Sequence, residues 1–140
     1  MKPLYTHLYR EPETFARALG FAYEALVNGP FAFDARTAWA KLSERVGQGI
    51  YMGEGLLLPH TRIPGLQEPL MAFAVCPKGF TGVATRGNET AQFLCVLLSP
   101  AESATMHTVA IAGVAKLLLN AEWKAKALAV QSDEDISALF

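Results

Sequence analysis

Two stretches, Leu70–Cys76 and Phe93–Leu98, are apolar at every position. A strand with one wet face alternates apolar and polar residues, whereas a strand apolar on both faces has to be covered on both. As strands, these two belong in the middle of a sheet with helices packed above and below it, a three-layer α/β/α arrangement. Few other architectures can hide them.

The helices that such a sheet needs are written on either side of it. Phe15, Leu19, Ala22 and Leu26 recur at helical spacing, and Asn28-Gly29-Pro30 stops the run. Asp34 reads as the N-cap of a second helix with Ala35, Ala38, Trp39, Leu42 and Val46 on its buried stripe. A glycine-rich stretch, Gly47 to Gly55, then leads into Leu56-Leu57-Leu58, a short strand ended by Pro59. Residues 82–85 read as a short edge strand before a turn at Arg86-Gly87-Asn88. Ser99-Pro100-Ala101-Glu102 has the form of a capping box, although the helix beyond it could equally start a turn later, near Ser103. Its stripe is Met106, Val109, Ala110, Gly113, Val114, Leu117 and Leu118. Asn120 ends it, a shorter helix follows at Ala121–Val130, and Ser132 with Asp135 opens a last one.

A chain of 140 residues, 51% apolar and 18% charged, is expected to be one domain, residues 1–140, with a core of its own. Twelve basic residues against thirteen acidic ones, without blocks of either, leave no electrostatic footprint for nucleic acid or a membrane surface. The first ten residues hold no apolar run suited to secretion, and Leu70–Cys76 is too short to span a bilayer. Cys76 and Cys95 sit inside apolar runs and read as buried free thiols. A cytoplasmic address is expected.

Of the three histidines, His60 is the informative one. It follows a buried strand and a rigid proline, with Thr61 and Arg62 next, and the Pro-His-Thr-Arg segment reads as a loop. Functional groups in open α/β sheets gather at such strand ends. A neutral imidazole offers phosphorus a free lone pair, and a planar guanidinium suits phosphoryl oxygens. Taken alone, such a loop more often holds an ordinary hydrogen-bonded histidine. His107 falls in the first turns of its helix, where the dipole favours both a neutral imidazole and a nearby phosphate; a locally bonded boundary histidine is the plainer meaning. His7 lies in an N-terminal segment expected to be mobile, and no role is assigned to it. The Gly47-Gln48-Gly49 and Gly53 set leads into a strand instead of opening a helix, unlike a dinucleotide fingerprint, and the cysteines and histidines lack paired zinc spacing.

Gly53-Glu54-Gly55-Leu56-Leu57-Leu58-Pro59-His60-Thr61-Arg62 resembles the active-histidine signature of type-2 enzyme IIA domains of the bacterial phosphotransferase system, the mannitol, fructose and nitrogen-regulatory group. That signature has Gly-x-Gly, three apolar residues, Pro-His, a small residue and often a base. The likeness continues through Gly65–Phe73 and recurs at Leu97-Leu98-Ser99-Pro100, with His107 seven residues beyond the proline, where the family keeps a second active-site histidine. Asn120-Ala121-Glu122-Trp123 falls where the family begins its next helix, so the resemblance spans residues 40–130. Two departures stand out. Ser43-Glu44-Arg45-Val46-Gly47-Gln48-Gly49 replaces a segment where members often show Arg-Glu and then Ser-Thr-Gly, which leaves Arg45 one residue out of register. Thr61 replaces the usual Gly or Ala.

The resemblance implies a mannitol-type enzyme IIA fold with a central mixed sheet. It implies that His60 accepts a phosphoryl group from the phosphohistidine of an HPr-like carrier, that His107 hydrogen-bonds the group in transit, and that Arg62, Thr61 and Arg45 are the candidate phosphate-binding residues. Neither metal nor cofactor is called for. The expected role is a free-standing regulator of the nitrogen-regulatory kind acting on a target protein. The alternatives are a sugar-specific component that passes the group to a permease-associated IIB domain, and a sensor of the same fold that no longer transfers phosphate. A homo-oligomer is left open.

Overall fold

The computed structural model describes all 140 residues, and it sets the two apolar strands side by side. They are the cores of longer strands, β5 (Leu70–Thr81) and β6 (Ala91–Pro100), which run antiparallel with Leu70 opposite Leu98 and Val75 opposite Phe93. Alternation along each sends Leu70, Ala72, Ala74 and Cys76, with Leu94, Val96 and Leu98, to one face of the sheet. Met71, Phe73 and Val75, with Phe93, Cys95 and Leu97, go to the other. Two separate cores result, one on each side. The cysteines therefore lie on opposite faces, buried and free, with the thiols pushed above their ordinary range by burial.

Each central strand carries a broken strand on its outer side. β1 (Tyr5–Leu8) and β2 (Glu13–Thr14) run parallel to β5; β3 (Leu56–Leu57) and β4 (His60–Ile63) run parallel to β6. β3 and β4 keep one register, Leu56 opposite Phe93 and His60 opposite Leu97. The interruption falls at Pro59, which has no N–H for the ladder. With two parallel tracks and one antiparallel pair, the sheet is mixed.

Helices α1 (Phe15–Val27) and α2 (Ala35–Gly47) cover the first face through Phe15, Leu19, Leu26, Ala38 and Leu42. Helices α3 (Ala104–Leu119), α4 (Ala121–Leu128) and α5 (Asp133–Ser137) cover the second, with Ala110, Val114, Leu118, Ala127 and Ile136 buried. The three-layer expectation holds. Every helix starts on a side-chain cap: Thr14, Asp34, Ser103, Asn120 and Ser132 each accept a backbone N–H of the first turn. On the second face Phe73 sits among Phe93, Trp123 and Phe140, with ring centroids 6.3, 6.0 and 5.1 Å away. No single helix is long and apolar enough to cross a membrane.

Several local expectations need correction. Tyr5–Leu8 is an edge strand, not a mobile segment: the flanking N–H groups of Leu4 and Tyr9 donate to Met71 and Val75 at 2.8 Å, and His7 Nδ1 lies 3.3 Å from Asp133 Oδ2. Four residues of mixed polarity carry no period of their own, and β5 supplies the pairing. His60 opens strand β4 and is not in a loop. Residues 82–85 form no strand: the chain bends at 82–83 and is irregular at 84–85. The capping-box start is displaced, because Ser99 and Pro100 finish β6 and α3 begins after Ser103. Met106 and Val109 stay exposed, since α3 buries only the narrower stripe of Ala110, Val114 and Leu118, with Ile111 and Leu117 partly covered beside it; they line an open groove of about 830 Å³ with Leu4, Met71 and Phe140. Trp39 is likewise exposed, lying at a tilt against Tyr23 with centroids 4.8 Å apart instead of entering the core.

Candidate active site

The Gly-x-Gly pair explains itself in the backbone. Gly53, Glu54 and Gly55 all take positive φ (87, 54 and 78°), a left-handed run that turns the chain into β3. Gly55 also passes close to β6: a Cβ there would stand 3.3 Å from the Thr90 carbonyl, and the Gly55 carbonyl accepts the N–H groups of Gln92 and Phe93 at 2.9 and 3.0 Å. This turn sets the register of β3, and Pro59 carries that register on to His60.

His60 is half-buried at the start of the edge strand. Its Nδ1 lies 2.7 Å from the carbonyl oxygen of Leu58, which can only accept, so Nδ1 carries the proton and Nε2 presents its lone pair. Arg45 Nη2 donates to that lone pair at 2.9 Å. Although one residue out of the family register, Arg45 lies in the last turn of α2 and reaches His60 past the sheet edge. The His107 ring stands 5.5 Å from the His60 ring, centroid to centroid, at 39°. The two histidines, 47 positions apart in sequence, meet because β4 and the end of β6 are neighbours and α3 begins just beyond β6.

The lead-in to α3 is tied to the far end of β4. Ala101 N–H donates to Ile63 O at 3.0 Å, Gly65 N–H donates to Glu102 Oε1 at 3.1 Å, and Arg62 Nη2 donates to the Ala101 carbonyl. These bonds hold His107 in place relative to His60. His107 is held below the ordinary imidazole range, chiefly by burial and then by its neighbours His60, Arg62 and Arg45, all capable of positive charge. It stays neutral near pH 7.

Arg62 follows His60 by two residues and so shares its face of the sheet; Thr61 alternates to the opposite face with Ile63, which belongs to the other core. The Thr61 hydroxyl thus points away from the imidazole pair. Four of the five named residues, His60, His107, Arg45 and Arg62, come together, and Thr61 contributes only backbone. Two further groups adjoin the site and carry weaker signals in sequence. The Leu58 carbonyl fixes the His60 tautomer, and a backbone group leaves no trace in residue type. Ser99 is fully buried on the His107 side, opposite Arg62. A polar residue at the end of a doubly covered strand is a visible signal, here masked by its resemblance to a helix cap.

The family model for the phosphoenolpyruvate-dependent sugar phosphotransferase system, EIIA 2, matches residues 5–140. Among solved structures, the nitrogen regulatory protein IIA-Ntr from Neisseria meningitidis is similar with a TM-score of 0.79 at 19% identity, over 98% of this chain and 94% of that one. IIA mannitol from Escherichia coli is similar with a TM-score of 0.73 at 18% identity, over 97% and 95%. The complex of the Escherichia coli mannitol IIA with phosphorylated IIB gives 0.74 at 17%, over 99% and 95%. No curated protein matches the sequence significantly. With its signature, its fold and a family match over nearly the whole chain in agreement, the protein belongs to the type-2 EIIA family of the phosphoenolpyruvate-dependent sugar phosphotransferase system.

Proposed function

We propose that the protein carries a phosphoryl group on Nε2 of His60, taken from the phosphohistidine of a small HPr-like carrier protein. One observation carries the reading: the Leu58 carbonyl holds the proton on Nδ1, so the lone pair of Nε2 faces outward beside a guanidinium and a second imidazole. In the transfer, that lone pair forms a new N–P bond in line with the breaking N–P bond of the donor, whose electron pair returns to the donor imidazole. Arg45 leaves the nitrogen and takes phosphoryl oxygens. Neutral His107 and the Arg62 cation face the developing charge. Positioning and fixed charge supply the catalysis.

The outlet we favour is a regulatory target protein of the nitrogen-regulatory type, for which a phosphoryl group on His60 would add negative charge and acceptor oxygens to the docking surface. The second reading, donation to a IIB domain, is favoured by the likeness to a mannitol IIA solved with phosphorylated IIB. Incubation with phosphorylated carrier is expected to give acid-labile label that is lost in His60→Ala. A labelled wild type discharged by IIB domains supports the second outlet; label stable to them supports the first. No label from any phosphorylated carrier, or label that survives His60→Ala, refutes the proposal in favour of the sensor.

A further inference from the structure

Three buried side-chain polar atoms in the chain lack a hydrogen-bond partner: Arg62 Nε, Ser99 Oγ and His107 Nδ1. A buried polar atom left unpaired costs about 1–3 kcal/mol, so such atoms are few and rarely neighbours. These three share one side of the sheet, and Arg62 is among the charges that act on His107. Arg62 and Ser99 stand opposite one another in the β4–β6 register. Alternation sends Ser99 to the same side as Cys95 and Leu97, the face covered by α3, where His107 lies.

Their hydrogen-bonding capacities are complementary. Arg62 Nε–H can only donate, a serine hydroxyl both accepts and donates, and one imidazole nitrogen of a neutral histidine accepts. One order satisfies all three: Arg62 Nε–H to Ser99 Oγ, and Ser99 O–H to His107 Nδ1. We propose that Ser99 is a positioning residue of the phosphoryl-transfer site, joining Arg62 to His107 through this relay once the side chains turn to face one another. The proposal rests on the reading of His60 as the acceptor. With Nδ1 accepting from Ser99, the His107 proton sits on Nε2, so the ring presents a donor to the phosphoryl oxygens. Without the hydroxyl, the ring is free to carry its proton on Nδ1 and turn a lone pair toward an anion. Ser99 is fully buried and acts only through His107.

The test compares Ser99→Ala with the near-isosteric pair Ser99→Thr and Ser99→Val, of which only threonine keeps the hydroxyl. Ring ¹⁵N chemical shifts report the His107 tautomer directly, in the phosphorylated and the unphosphorylated protein. Expected are the Nε2–H tautomer in wild type and Ser99→Thr, a mixture in Ser99→Ala and Ser99→Val, and labelling of His60 slowed about tenfold in the latter two, the loss of one hydrogen bond to a charged network. A His107 tautomer that is unchanged in Ser99→Ala and Ser99→Val overturns the proposal, as does Ser99→Val labelling as fast as Ser99→Thr. If wild type takes no label from phosphorylated carrier, the acceptor reading fails, and the tautomer comparison on unphosphorylated protein still decides whether Ser99 orients His107.

Discussion

Arg45 is the residue whose replacement tests the site most directly. Arg45→Gln keeps an N–H donor on a shorter side chain but removes the charge, and the side chain is exposed, so the fold should not change. In the resting site Nη2 is 2.9 Å from His60 Nε2. Once a phosphoryl group stands there, the guanidinium faces its oxygens with the charges about 4 Å apart. That separation is worth about 1 kcal/mol per unit charge in water and about 4 kcal/mol near a protein surface. Exposure places the value toward the lower limit, and a phosphoryl charge near −2 raises it again. About 1–2 kcal/mol of transition-state stabilisation should be lost, a rate five- to thirtyfold lower. The assay is the initial rate of acid-labile labelling from phosphorylated carrier at low and high salt, with the melting temperature as a control. Wild type should slow with salt, Arg45→Gln should respond less, and Arg45→Lys should fall between them. A rate for Arg45→Gln within about twofold of wild type, at unchanged stability, would refute the assignment of charge stabilisation to this residue.

Replacing His107 by Ala should slow labelling of His60 without unfolding the domain, because the ring flanks the stripe that buries α3; a large drop in melting temperature would count against this. The His107 pKa lies below the ordinary 6.5 in the folded state, so the unfolded chain takes up a proton first as the pH falls. Stability should therefore be undiminished above pH 6.5 and fall as the pH drops from there through the lower folded value, and urea midpoints of His107→Gln should show less of that slope. Phe73→Ala removes a fully buried ring from contact with Phe93, Trp123 and Phe140 and should cost about 3–5 kcal/mol in urea unfolding; a cost below about 1 kcal/mol would mean the second core is not packed as described. Gly55→Ala forces a side chain onto φ +78° and to 3.3 Å from the Thr90 carbonyl, which should cost about 1–3 kcal/mol, and an unchanged midpoint would contradict the turn geometry.

Legibility of the fold followed how far each signal reaches along the chain. The helices were readable because caps such as Asp34, Asn120 and Ser132 and their stripes act within a few residues. The doubly apolar strands were readable because coverage on both faces leaves its mark at every position. β1 was not, since Tyr5–Leu8 is a strand only by bonding to β5, more than sixty residues away. The exposure of Met106 and Val109 was hidden for a related reason: periodicity says which residues share a face but not how wide a strip the neighbouring layer covers.

Composition and pattern alone determined the three layers, the covered sheet, the buried free thiols and the two histidine motifs with their spacing. Tertiary structure decided which of those residues meet. It brought Arg45 to His60 despite its shifted register, turned Thr61 to the far face, and set Ser99 opposite Arg62 on the side of His107. Which side chains converge on one point depends on strand pairing and helix placement between distant segments, and those are fixed by packing the whole chain at once.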